Sequence, residues 1–188
     1  MILINSPNNP TGAVYSRETV EAIADICRRH DLWLLSDEVY WTLRGSREHV
    51  SPRALPGMKA RSLVVNSLSK SHAMTGWRIG WLTAPADFIR HLVSLNIVSS
   101  YGMADFISHA AVEAVEKAQG VAEIAARYRD RRRAFLGAIR HVNGVAARGS
   151  EGGMYVMLDV SAVEPDCEAF AWGLLDAEKV AVLPGTSF

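Results

Sequence analysis

Short apolar runs alternate with amphipathic stretches along the first hundred residues. Residues 2–5 (ILIN) form one such run, which stops at Pro7 and Pro10. Ser16 then stands where a helix cap is needed, with Glu18 in the first turn. Beyond it Val20, Ile23, Ala24 and Cys27 recur at helical spacing and make one apolar face. The next run, LWLL at 32–35, closes at Ser36 and Asp37. Strand, helix and strand in this short a span predict a βαβ unit, and such crossovers feed a parallel sheet covered on both faces. After a Pro- and Arg-containing stretch at 44–61, SLVVNSL (62–68) predicts a third buried strand and WRIGWLTA (77–84) a fourth.

Helical patterns follow at 87–97, 105–117 and 121–142, with Gly120 separating the last two. In the longest, Val121, Ile124, Ala125, Tyr128, Phe135 and Ile139 supply an apolar stripe, which assigns RYRDRRR (127–133) to a solvated face. Past Gly149, MYVMLDV (154–160), a helical segment at 167–177 and VAVLP (180–184) predict a small α+β unit. The pattern as a whole is α/β. Residues 1–118 are expected to form part of a larger domain, and 119–188 a linking helix with part of a smaller α+β domain.

Composition narrows the partners. The 188 residues are 49% apolar, enough to build a core. Twenty basic residues balance twenty acidic ones, so no bulk field favours nucleic acid or an anionic membrane, and a small-molecule partner is expected. No run approaches the roughly 18 apolar residues of a membrane span. MILINSPNNP also lacks the basic-then-apolar order of a leader. A cytoplasmic location is therefore expected. Cys27 and Cys167 make no CxxC pair, which argues against a disulfide framework and a thiolate zinc site; Cys27 reads as a small buried hydrophobe. None of the six histidines forms HExxH or another close pair, so no metal is expected. His109 reads as a helix-surface residue.

Candidate chemistry collects at the ends of the apolar runs. Lys70 is the one formal charge in SLVVNSLSKSHAMTGW. An ammonium in apolar surroundings loses solvation, which favours the neutral amine that attacks a carbonyl. Asp37 ends LWLLSD, where open parallel sheets bind ligands. Alternation sends Asp37 and its neighbour Glu38 to opposite faces, so only one of them reaches a given ligand atom. SPNNPTG carries two prolines that fix its path and two asparagines that donate and accept. Arg78, in GWRIGW, needs an anion, and its fork suits phosphate. Each signal alone also fits a bland reading: a snorkelling lysine, a helix cap, a turn, an internal ion pair.

Taken in order, NSPNNPTG, SDEVY and NSLSKSHAMTGWRIGW resemble the fold-type I aminotransferases that depend on pyridoxal 5'-phosphate (PLP), in the class of the aspartate and aromatic enzymes. EGGMYVMLDVS and VAVLPGTSF extend the resemblance to the end of the chain. It implies that Asn9 hydrogen-bonds the cofactor's phenolic oxygen close to the substrate carboxylate, and that Tyr40 reaches the same oxygen. It further implies that Asp37 pairs with the protonated ring nitrogen, that Lys70 forms the Schiff base, and that Ser67 and Arg78 hold the phosphate with help from Ser69. The implied reaction is amino transfer between an L-amino acid and a 2-oxo acid, in a protein that pairs as a homodimer. Lyases and synthases share the scaffold, as do sensor modules of transcriptional regulators, and both stand as alternatives. The chain is about half the family's usual length, so it is expected to be a fragment with little activity by itself.

Overall fold

The computed structural model describes residues 1–118, 120–148 and 150–188. The first unit is a four-stranded sheet in the order β1 (Ile2–Asn5), β2 (Leu34–Asp37), β3 (Ser62–Ser67), β4 (Gly80–Thr83). β1, β2 and β3 run parallel, in a register that sets Asn5 beside Asp37 and Asp37 beside Val65. β4 is antiparallel to β3, with Gly80 opposite Ser67. Helix α1 (Arg17–Arg29) makes the crossover from β1 to β2, and the Ser16 hydroxyl caps it by accepting from the Thr19 amide at 3.2 Å.

The face of α1 that the spacing singled out is the one that packs. Val20, Ala24 and Cys27 lie buried with Ile4, Leu34, Val50, Leu55 and Met58 in a single cluster. A side chain such as Leu34, wholly removed from water, contributes about 1.5–3 kcal/mol through this burial.

Beyond the sheet come α2 (Leu68–Ser71), α3 (Ala86–Ser100), α4 (Asp105–Lys117) and α5 (Val121–Ile139). A hairpin of β5 (Ala146–Arg148) and β6 (Met157–Asp159) follows, and then α6 (Cys167–Glu178), whose cap Asp166 accepts from the Glu168 and Ala169 amides. Among the described residues no helix is long and apolar enough to cross a membrane. The division expected at residue 119 falls on Gln119, outside the described residues.

Three details differ from the sequence pattern. VAVLP forms no strand: a strand needs a neighbour to satisfy its amides, and no described strand pairs with residues 180–184. The stripe of α5 is only partly covered, and Phe135 remains 43% exposed because it lines an open cavity rather than a core. Arg132, from the run assigned to solvent, is half-buried.

Candidate active site

Parallel strands present their C-terminal ends along one edge of a sheet, and an antiparallel neighbour begins at that same edge. The loop after β1 carries Asn9, the end of β2 carries Asp37 and leads to Tyr40, and β3 ends at Ser67 and runs straight into α2 with Ser69 and Lys70. Arg78 lies two residues before β4 enters. The topology therefore gathers all seven candidate residues along one edge, although they come from four segments of the chain.

The loop after β1 is held by its own amides. Asn8 Oδ1 accepts from the Thr11 amide at 3.2 Å and from the Thr11 hydroxyl at 2.6 Å, and the Gly12 amide donates to Asn8 O at 2.8 Å. Asn5 ties this loop to β2. Its Oδ1 accepts from the Asn9 amide at 2.7 Å while its Nδ2 donates to Asp37 O at 3.2 Å. The Asn9 side chain is exposed and faces no described hydrogen-bond partner.

Asp37 and Glu38 do part company, as strand alternation requires. Glu38 turns inward, accepts from the Ser36 hydroxyl at 3.0 Å and sits 3.1 Å from His49 Nε2. Asp37 stays half-buried at the strand end and accepts from the Val39 amide at 3.1 Å.

Tyr40 is only 4% exposed, and its ring meets that of Tyr155 edge-on, with centroids 6.4 Å apart. Burial, followed by the neighbouring Tyr155 and Asp37, pushes the Tyr40 phenol well above its ordinary pKa. Its hydroxyl thus keeps its proton, and its capacity to donate, through the neutral range. Lys70 Nζ stands 6.0 Å from the centroid of the same ring. Ser67 Oγ donates to Ile79 O at 2.7 Å, lies 2.9 Å from Ser69 Oγ and accepts from the Ser69 amide at 3.0 Å. Arg78 is exposed, holds a left-handed backbone (φ 53°), and donates to Thr75 O at 2.9 Å. A bulky residue in that region carries a backbone cost of order 1–2 kcal/mol.

One feature of the charge inventory bears directly on a ligand. Among the described residues Asp37, Lys70 and Arg78 form no ion pair, while Arg17, Arg47 and Arg61 of the same unit do. An acid, an amine and a guanidinium left open at one sheet edge suit a ligand with a protonated ring, a carbonyl and a phosphate. The residues present therefore fit PLP.

Two neighbours of the site carry no mark in the sequence pattern. Asn5 looks like the last residue of an apolar run, yet it bridges two of the site's segments. Tyr155 lies in an apolar strand-like run far along the chain, and only the fold brings it to Tyr40. Tyr155 also lines a cavity of about 310 Å³ with Tyr128, Arg132 and Phe135.

The profile of the aminotransferase class I and II family matches residues 1–188. The chain belongs to that family. Its relatives include the arginine–pyruvate transaminase of Pseudomonas aeruginosa, 45% identical over 186 residues, which are 98% of this chain and 47% of that protein. The aspartate/prephenate aminotransferase of Thermus thermophilus is 40% identical over 192 residues, covering all of this chain and 49% of that one. Among solved structures, an aromatic aminotransferase from Pyrococcus horikoshii superposes with a TM-score of 0.91 at 34% identity, over 98% of this chain and 50% of that one. The fold is thus the α/β fold of this family, with its mostly parallel sheet. The chain spans about half the length of the curated relatives it matches.

Proposed function

We propose that the protein is a PLP-dependent aminotransferase that moves an amino group between an L-amino acid and a 2-oxo acid, with Lys70 as the amine that attaches the cofactor. The observation that carries this reading is the trio of Asp37, Lys70 and Arg78, unpaired among the described residues at one sheet edge, in a chain of the aminotransferase family. Bound there, the cofactor supplies an aldehyde to carry the amino group and a protonated ring that accepts the electron pair left when the substrate's α-C–H bond breaks.

The chain's own residues do the rest. Asp37 holds the proton on the ring nitrogen, because a carboxylate beside it favours the charged form. Tyr40, kept protonated by its burial, donates to the phenolic oxygen together with Asn9. The Arg78 fork and the hydroxyls of Ser67 and Ser69 hold the phosphate. With cofactor and substrate bound, Lys70 would serve as the general base for the α-proton and then as the general acid that returns it. A cytoplasmic location and a homodimer belong to the same reading. Free Cys27 and Cys167 support the first, and apolar side chains left open on α3 and α4, such as Val98 and Phe106, support contact with further polypeptide.

Borohydride reduction of the loaded protein, followed by peptide mapping, tests the assignment. The label is expected on the peptide holding Lys70 and absent from Lys70→Ala; a label on Lys59, Lys117 or Lys179 instead would overturn it. Product analysis with and without an added 2-oxo acid separates amino transfer from elimination or synthesis. Turnover that ignores the oxo acid would remove the transfer reaction.

A further inference from the structure

Arg132 lies on α5 in a run of charged residues, yet it is half-buried, and burial pulls its guanidinium below the usual pKa. No described carboxylate pairs with it. Its two terminal nitrogens instead donate to the carbonyls of Glu151, at 3.2 Å, and Gly153. A planar fork that grips two carbonyls two residues apart fixes the path of the backbone between them.

That backbone reaches the other way with its amides. Glu151 N and Gly152 N both donate to Gly12 O, at 3.0 and 2.7 Å, and Gly153 N donates to Leu43 O at 3.0 Å. Gly12 closes the loop that holds Asn9, and Leu43 ends the short helical turn that begins beside Tyr40. Two residues past Gly153 the chain delivers Tyr155 against the Tyr40 ring. The approach is close enough to exclude side chains. A Cβ on Gly12 would stand 2.7 Å from Gly152 O, one on Gly45 would stand 2.1 Å from Glu151 O, and one on Gly152 would meet Val14 and Pro7 at 2.9 and 3.0 Å.

We propose that Arg132 is a positioning residue: by clamping the Glu151–Gly153 turn it sets where Asn9 and Tyr40 stand relative to Lys70. The claim rests on the PLP reading for what those three residues do. The clamp itself is independent of that reading. Lysine could not replace it, because an ammonium on one flexible stem does not span both carbonyls in a fixed plane.

The test uses Arg132→Met and Arg132→Lys in the protein expressed from its complete reading frame and loaded with PLP. In Arg132→Met, amide hydrogen exchange at residues 8–13 and 40–44 is expected to quicken by about tenfold or more, the scale of one lost charge-assisted hydrogen bond, while β1, β2 and β3 keep their protection. The pH midpoint of the bound cofactor's visible absorbance is expected to move by about half a unit, because the two donors to the phenolic oxygen no longer sit squarely. Arg132→Lys should shift both readouts in the same direction by less. Unchanged exchange in the two loops, a uniform rise across the sheet, or an unmoved absorbance midpoint would each overturn the proposal. Should the Met variant fail to fold, the Lys variant decides by the same measurements, and wild-type values in both would sink the idea. Failure of the underlying reading looks different: the unmodified protein would then carry no reducible label on Lys70, whatever the loops do.

Discussion

Gly12→Ala and Gly153→Ala form a matched pair that isolates the close approach at the joint. Both glycines hold nearly the same left-handed backbone, with φ +70° and +69°, so the conformational cost of adding a Cβ, about 1–2 kcal/mol, is common to both. The gain from a stiffer unfolded chain is common to them as well. The surroundings differ. At Gly12 the new Cβ would stand 2.7 Å from Gly152 O, 3.3 Å from Ser150 Cα and 3.4 Å from Tyr155 O, all backbone atoms that cannot swing aside. At Gly153 the nearest atom is Asn8 O at 3.7 Å, an ordinary contact. To admit a methyl at Gly12 the facing turn must withdraw, which weakens the two amide bonds to Gly12 O; at about 1 kcal/mol each, these come to about 2 kcal/mol. Gly12→Ala is therefore expected to cost about 2–3 kcal/mol more than Gly153→Ala, a difference of more than tenfold in the folding equilibrium. Urea unfolding of the two variants, followed by tryptophan fluorescence and compared at a common slope, measures it. Unfolding free energies that agree to within about 0.5 kcal/mol would show that the joint is loose and that its geometry holds nothing in place.

Burial raises the Cys27 thiol, whereas hydrogen bonding from Thr186 lowers that of the half-exposed Cys167. A disulfide reagent at neutral pH should therefore modify Cys167 first and reach Cys27 only in denaturant; peptide mapping that found the reverse order would contradict the packing of α1. The raised Tyr40 phenol means that the folded state holds this proton more tightly than the unfolded chain does. Its contribution to stability is complete below pH 10, the ordinary value, and is lost as pH climbs above it toward the folded pKa. Melting temperatures taken above that pH should fall less steeply in Tyr40→Phe than in the parent protein, and parallel curves would refute the burial argument.

Much of the sheet unit was legible because its physics is local. Ser16 read as a cap, Val20, Ala24 and Cys27 as one face, and the runs at 2–5, 32–35 and 62–68 as buried strands, and the structure has each of them within two residues. Alternation also set Asp37 and Glu38 on opposite faces, and the structure turns Glu38 inward while Asp37 stays at the strand end. What was not legible depends on partners distant in the chain. Nothing in WRIGWLTA marks its strand as antiparallel, since that direction follows from how the chain returns after α2. Arg132 sits in a charged run whose members look alike, and its choice of two backbone carbonyls leaves no trace in residue types. Asn5 is one polar residue at the end of ILIN, and its bridging role appears only once β2 lies alongside. The adjacent glycines at 152 and 153 were the one available hint that a backbone passes close by.

The four strands lie side by side in the order in which they are synthesised. Each one can dock on its predecessor as it emerges, so the sheet can grow progressively during translation without waiting for distant sequence. The grip of Glu151 and Gly152 on Gly12 is the opposite case, since it joins segments from nearly the two ends of the described chain. A nascent polypeptide would thus hold Lys70 at its strand–helix junction early and acquire a settled Asn9 loop late.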